Sequence, residues 1–174
     1  NPKKTRVEID LPVRVNFCGS PSDAAPYCLE YGGTMLDAAI LLKNQKPIKV
    51  IAEIMDKGYI LESIDQSCEL KTYDKNEIMN CDNPFDPFAL HKAVLVATGI
   101  MDFYDNGIKL STNVDVPKGS GLGTSSIIAA AAVKAVNELF DLDTSDQTIY
   151  ALVFLVEQLM TTGGGWQDQV GGLT

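Results

Sequence analysis

Residues 5–18 alternate: Val7, Ile9, Leu11, Val13, Val15 and Phe17 fall on one side, and Glu8, Asp10, Arg14 and Asn16 on the other. A period of two with one apolar face predicts a half-buried strand. Pro12, with no amide hydrogen to give to a ladder, divides it into two. Residues 19–26 are rich in turn formers and place Asp23 where its side chain can face a cleft, and a short helical turn is expected over 27–31, ending at Gly32 and Gly33. Strands are predicted over 34–42 and 48–54, the second with Ile48, Val50, Ala52 and Ile54 on one face. Residues 59–64 and 68–73 read as an edge hairpin. Residues 82–87 form a loop, and Pro87 suits the first turn of a helix that runs to Met101. From Gly107 a strand follows in which Ile108, Leu110, Thr112 and Val114 alternate with Lys109, Ser111, Asn113 and Asp115.

The period then changes. An alanine-rich helix is predicted to follow the loop of residues 117–126 and to run to about Phe140, and after a linker at 141–143 Thr144 and Gln147 form a capping-box pattern for a helix reaching Thr161. Ile149, Leu152, Val153, Val156 and Leu159 or Met160 make its apolar stripe, which Glu157 interrupts. Residues 163–172 read as a glycine-rich loop with no closing element after it, so the chain looks like part of something longer. Together the elements predict one two-layer α/β domain over residues 1–174, a mixed sheet packed on helices.

Composition narrows the field. A length of 174 residues, 45% of them hydrophobic and 21% charged, fits one globular domain with a real core. A net charge of −9 argues against nucleic acid or an anionic membrane as partner, so an anionic ligand must be held by local donors. No run approaches the length of a membrane-spanning helix. Cys18, Cys28, Cys68 and Cys81 are scattered without a paired motif, which predicts free thiols and a reducing cytoplasm. The single histidine, His91, has no sequence partner for a catalytic dyad or zinc site and reads as structural.

One stretch carries candidate chemistry. Pro117-Lys-Gly-Ser-Gly-Leu-Gly-Thr-Ser-Ser126 follows a strand and opens into the alanine-rich helix. A loop so built turns several amides toward one point, and the helix start adds unpaired donors and the positive dipole end, which together make a seat for phosphate. The hydroxyls of Thr124 and Ser125 can reach a metal held by the same phosphates. The loop has neither the closing Lys-Ser/Thr pair of a Walker motif nor the G-x-G-x-x-G turn of a dinucleotide site. The plain alternative is a helix N-terminus with a Ser/Thr cap and a tight glycine turn.

This loop resembles the nucleotide loop of the GHMP kinases, the superfamily of galactokinase, homoserine kinase and mevalonate kinase. Two more glycine-rich polar segments match the same family in order. Residues 14–33 resemble its substrate motif, while Leu155-Val-Glu-Gln-Leu159 and Thr161-Thr-Gly-Gly-Gly-Trp-Gln-Asp-Gln-Val-Gly-Gly172 resemble the L-fucose kinases within it. The resemblance implies a GHMP N-terminal domain of the ribosomal protein S5 domain 2-like fold, including a left-handed strand–helix–strand crossover. It implies transfer of the γ-phosphoryl of ATP, with Mg²⁺, to the anomeric hydroxyl of L-fucose or a similar sugar, and a second, C-terminal domain not contained in this chain.

Carried over by position, Lys118, Gly119, Ser120, Gly121, Leu122, Gly123, Thr124 and Ser125 would wrap the nucleotide phosphates. Ser125 and Glu157 would meet Mg²⁺, and Asp168 would orient the acceptor hydroxyl or take its proton. Arg14 would favour the ionised acceptor, and Asp23, Gly164 and Gly165 would meet the sugar. Each has a plainer reading: Glu157 as a solvated helix residue, Asp23 as a turn cap, Arg14 in a sheet-surface ion pair, Lys118 as an exposed lysine, Trp166 as a packing anchor. The loop Gly19-Ser-Pro-Ser-Asp-Ala-Ala-Pro26 departs from the Gly-Gly-Trp-Ser-Asp-Thr type of fucose kinases, which leaves the sugar open to galactose or a heptose phosphate. A non-catalytic sensor of sugar and ATP on the same fold is the reading from another class.

Overall fold

The computed structural model describes residues 1–24, 26–83, 85–117, 120–162 and 167–173, the side chains of 167–169 excepted. The alternating segments become β1 (Arg6–Leu11), β2 (Val13–Cys18), β3 (Leu36–Ile40), β4 (Ile48–Met55), β5 (Tyr59–Ser63), β6 (Cys68–Thr72) and β7 (Gly107–Val114). Five of them form one mixed sheet in the order β1-β4-β7-β5-β6, with β5 parallel to β7 and the other neighbours antiparallel. The register aligns Val7, Ala52, Leu110 and Leu61 in a single cross-strand row, all buried. Apolar side chains at alternate positions thus give the sheet one continuous inner face.

The helices are α1 (Tyr27–Tyr31), α2 (Lys75–Met79), α3 (Ala89–Ala97), α4 (Ile100–Phe103), α5 (Thr124–Phe140), α6 (Asp146–Leu159) and α7 (Gln167–Leu173). α5 is central. It packs on β1 and β4 from one side and meets α3, α6 and α7 on others. Ala129, Ala130, Ala131, Ala132 and Ala135 are buried on different sides of it, so it is enclosed nearly all round. Small side chains bring both the sheet and the other helices close to its backbone. The start of α5 is therefore held on an element enclosed by the sheet and by other helices.

Several expectations need correction. β2 leaves the large sheet after Pro12 and pairs with β3 in a separate two-stranded ribbon. The alternation of residues 5–18 therefore does not describe one buried face: Phe17 is 66% exposed, whereas Arg14 is buried. The polar segment α2 was not expected; Asp74 caps it by accepting from the Asn76 amide, and Ile78 anchors it in the core. The helix predicted to reach Met101 begins at Ala89, after Pro87. It is also interrupted, because the Thr98 hydroxyl bonds back to the Val94 and Leu95 carbonyls and Gly99 turns left-handed before α4. The α6 cap is Ser145, whose hydroxyl accepts from the Thr148 amide, rather than Thr144. Residues 167–173 form the helix α7 where a loop was expected.

Candidate active site

The mouth of α5 is built by β2. The Arg14 amide donates to the Leu122 carbonyl (3.4 Å), and the Arg14 guanidinium Nη1 donates to the Gly121 carbonyl (3.5 Å). Across a trans peptide the N–H points opposite to the C=O. Holding these two carbonyls against β2 therefore turns the amides of Leu122 and Gly123 the other way. Gly123, the residue before the helix, has φ 67°, a left-handed conformation that glycine adopts without strain. Among the described residues no side chain caps the helix start, so the first-turn amides are open to a ligand, with the positive dipole end behind them. Arg14, Ser120, Gly121, Leu122, Gly123, Thr124 and Ser125 line a cleft of about 290 Å³ at this point.

Thr124 and Ser125 also form part of a second cavity of about 290 Å³, whose other walls come from the end of β5, the start of α3, the end of β7 and the end of α6. Val114, Val116, Ile128 and Met160 make much of it apolar, and Ser63, Asp65 and Asp86 add polar groups to its lining. The two cavities share the first turn of α5 as a common wall. A flat apolar group in one and a string of anionic groups in the other would meet at the helix start. Sequence reasoning named the loop but missed this second cavity, because its residues come from five separated segments with no common local motif.

His91 sits in that cavity's wall and is almost wholly buried. Its Nε2 lies 3.2 Å from the Glu62 carbonyl and 3.1 Å from the Thr112 hydroxyl. A carbonyl only accepts, so Nε2 carries the hydrogen. Burial lowers its pKa to about 4, which keeps the ring neutral. The structural role expected from sequence fits this arrangement. Beside it, the buried Lys92 pairs with the half-buried Asp86 at 2.6 Å, and the Asp86 carboxylate also accepts from the Phe88 amide, which fixes the chain entering α3.

Behind the helix mouth, Glu157 is only 8% exposed and accepts a hydrogen bond from the Ser126 hydroxyl. The reading of Glu157 as a solvated helix residue is thereby set aside. The hydroxyl that reaches it belongs to Ser126, whereas Ser125 lines the two clefts. Successive residues on a helix point about 100° apart, so only the packing of α5 on α6 decides which hydroxyl meets the acid. Glu157 lies in the last turn of α6, where the helix dipole disfavours a negative charge. The chain then folds back, with the Thr162 amide and hydroxyl both donating to the Glu157 carbonyl at 2.9 and 3.1 Å.

The remaining expected site residues divide. Arg14 is buried against the loop and is not a sheet-surface residue. Asp23 is also buried, in the turn after β2, and lines neither cavity above. Asp168 lies in the first turn of α7; its side chain, together with Lys118, Gly119, Gly164, Gly165 and Trp166, lies outside the described residues. Among the described residues no three His, Cys, Asp or Glu side chains cluster as a metal site. The four cysteines are free thiols. No helix among the described residues is long and apolar enough to cross a membrane.

Comparison with known proteins decides the family. Residues 89–173 match the GHMP kinases N terminal domain. The chain carries a GHMP kinase N-terminal domain. Almost the whole chain, 99% of it, is 46% identical to a bifunctional fucokinase/GDP-fucose pyrophosphorylase of Arabidopsis thaliana, of which it covers 16%. It is 34% identical over 93% of its length to an L-fucokinase/L-fucose-1-P guanylyltransferase of Bacteroides fragilis, covering 19% of that protein. A crystal structure of a D-glycero-D-manno-heptose 1-phosphate kinase from Bacteroides thetaiotaomicron superposes with a TM-score of 0.73 at 28% identity, over 94% of this chain and 51% of that one. The chain thus spans a sixth to a fifth of the two fucokinase relatives and about half of the heptose kinase. Of the elements above, β7, the start of α5 and the α6 acid lie within the matched residues 89–173.

Proposed function

We propose that the protein containing this chain is an ATP-dependent sugar kinase that phosphorylates the anomeric hydroxyl of L-fucose or a close relative, giving the sugar 1-phosphate. The observation that carries the reading is the open mouth of α5: amides turned outward by β2, no capping side chain among the described residues, and two cavities meeting there. The apolar cavity suits a nucleoside and the loop cleft its phosphates. Similarity to two fucokinases and to a heptose phosphate kinase supports a sugar as acceptor.

The acid behind the helix mouth fits Mg²⁺. This ion takes oxygen ligands and is usually held by one or two carboxylates together with substrate phosphates. Glu157 is a carboxylate, Thr124, Ser125 and Ser126 add hydroxyl oxygens at the helix start, and a cation offsets the adverse burial of an acid at a helix C-terminus. When bound, the ion would neutralise charge building up on the transferred phosphoryl group. Of the chain's own residues, Asp168 would accept or orient the proton of the attacking hydroxyl, and Arg14 would favour the ionised acceptor while fixing the loop. Asp23, Gly164 and Gly165 would meet the sugar, and Lys118 and Gly119 would complete the phosphate seat. A C-terminal half, beyond the domain seen here, would close the other side of the cleft.

The direct test is sugar-dependent ADP release by the full-length protein, with L-fucose, galactose and heptose phosphates compared by kcat/KM. L-fucose is expected to lead. Binding of both ATP and sugar without ADP release would overturn the kinase reading in favour of a sensor.

A further inference from the structure

The β2–β3 ribbon has a polar face that none of the roles above uses in full. Residues two apart on a strand share a face, so Asn16 stands beside Arg14, and the register sets Ala39 opposite Arg14 and Asp37 opposite Asn16. α7 crosses this face: a Cβ added to Gly171 would lie 3.2 Å from the Arg14 Cβ and 3.4 Å from the Asp37 Cβ. Asp168 lies one helical turn before Gly171, the residue that meets this face of the ribbon.

The chemistry of the Asn16–Asp37 pair is specific. Asn16 Nδ2 donates to Asp37 Oδ1 (2.8 Å) and to the Cys18 carbonyl (3.2 Å). Both amide hydrogens are committed, which fixes the direction of the amide. What remains on the pair is two acceptors, Asn16 Oδ1 and Asp37 Oδ2, and no donor. Both residues are half-buried, and the strand ladder shifts register directly after Asn16. Such irregularities re-aim side chains beside binding sites. An acceptor-only pair with one negative charge repels phosphate but suits the hydroxyl donors of a sugar ring.

The geometry points to Asn16 and Asp37 as a hydroxyl-binding subsite for the acceptor sugar, setting specificity by holding ring hydroxyls other than the one that reacts. This rests on the sugar-kinase reading and adds residues to it. The pair touches substrate through hydroxyls and takes no part in phosphoryl transfer.

The experiment uses the full-length protein. Calorimetric titration measures the affinity of L-fucose, a set of its monodeoxy analogues, and ATP, with KM and kcat alongside. Asp37→Ala is expected to weaken L-fucose binding by about 10- to 100-fold, the loss of a hydrogen bond to a charged group. KM for the sugar rises with it, while ATP affinity stays unchanged. The analogue lacking the recognised hydroxyl should bind wild type and variant equally. Asp37→Asn keeps the acceptor for Asn16 but turns the outer oxygen into a donor, and it carries the same comparison should the alanine variant lose ATP binding. L-fucose affinity that is indifferent to both variants overturns the subsite. So does an equal loss for every analogue, which would mark the pair as a structural pin for the ribbon. Wild-type protein that binds no sugar at all would refute the kinase reading itself.

Discussion

Glu157→Gln separates a functional acid from a structural one. Glutamine keeps the volume and an oxygen that can accept from Ser126. Exchanging a charged acceptor for a neutral one loses about 0.5–1.5 kcal/mol. Removing negative charge from the last turn of α6 recovers about 0.3–2 kcal/mol, and the desolvation cost of a buried carboxylate also disappears. These terms nearly cancel, so the fold should change by less than about 1 kcal/mol, a shift of roughly 2–4 °C in Tm. The ligand tells a different story. A unit charge 4 Å from a cation is worth about 4 kcal/mol per unit of cation charge at an effective dielectric near 20. Discounting for water that replaces the lost ligand, the affinity for a non-hydrolysable ATP analogue should fall about 10²- to 10³-fold in Mg²⁺. With chelator and no divalent ion, wild type and variant should bind it alike. Thermal unfolding in chelator and calorimetry with and without Mg²⁺ provide both readouts. A loss of about 3–5 kcal/mol in stability, typical of breaking a buried ion pair, or undiminished Mg²⁺-dependent binding, would refute the reasoning.

Three further outcomes follow from the packing. Because burial lowers the His91 pKa from 6.5 to about 4, the unfolded chain takes up a proton in that window that the folded chain refuses. Stability should therefore fall as pH drops from 6.5 toward 4, by up to about 1.4 kcal/mol per pH unit, and His91→Gln should flatten that slope in denaturant titrations at stepped pH. Gly172→Ala would place a Cβ 2.7 Å from Ile127 Cγ1 and 2.9 Å from its Cγ2, a clash expected to cost about 1–3 kcal/mol and to be smaller in an Ile127→Ala background, which removes both atoms, read by thermal unfolding of single and double variants. Gly123→Ala forces a left-handed conformation on a residue with a Cβ, which should cost about 1–2 kcal/mol and weaken ATP binding. Unchanged melting and titration curves for that variant would mean the loop relaxes freely.

Much of this was legible in the residue pattern, for physical reasons that also mark its limits. β4, β5 and β7 are flanked on both sides by partners, so their alternation survives into the fold. β2 alternates equally well, yet it turns into a ribbon of its own, and nothing in Val13 to Phe17 says which face will be covered. The α5 loop was readable because clustered glycines and hydroxyls before a helix have few other uses. The choice of Ser126 over Ser125 as the partner of Glu157 was not, since it depends on how α5 and α6 are rotated against each other. Glycines at 171 and 172 argued for a loop, whereas in the fold they let α7 press against Arg14 and Ile127. The second cavity was invisible, because chain topology alone brings its walls together.

Hydrogen–deuterium exchange of the full-length protein, with and without a non-hydrolysable ATP analogue and Mg²⁺, tests the central claim most directly. The account predicts that amides at 121–126 exchange slowly only when the nucleotide is bound, because phosphate oxygens take their hydrogens. Saturating nucleotide that leaves exchange at 121–126 unchanged while protecting another segment would contradict it.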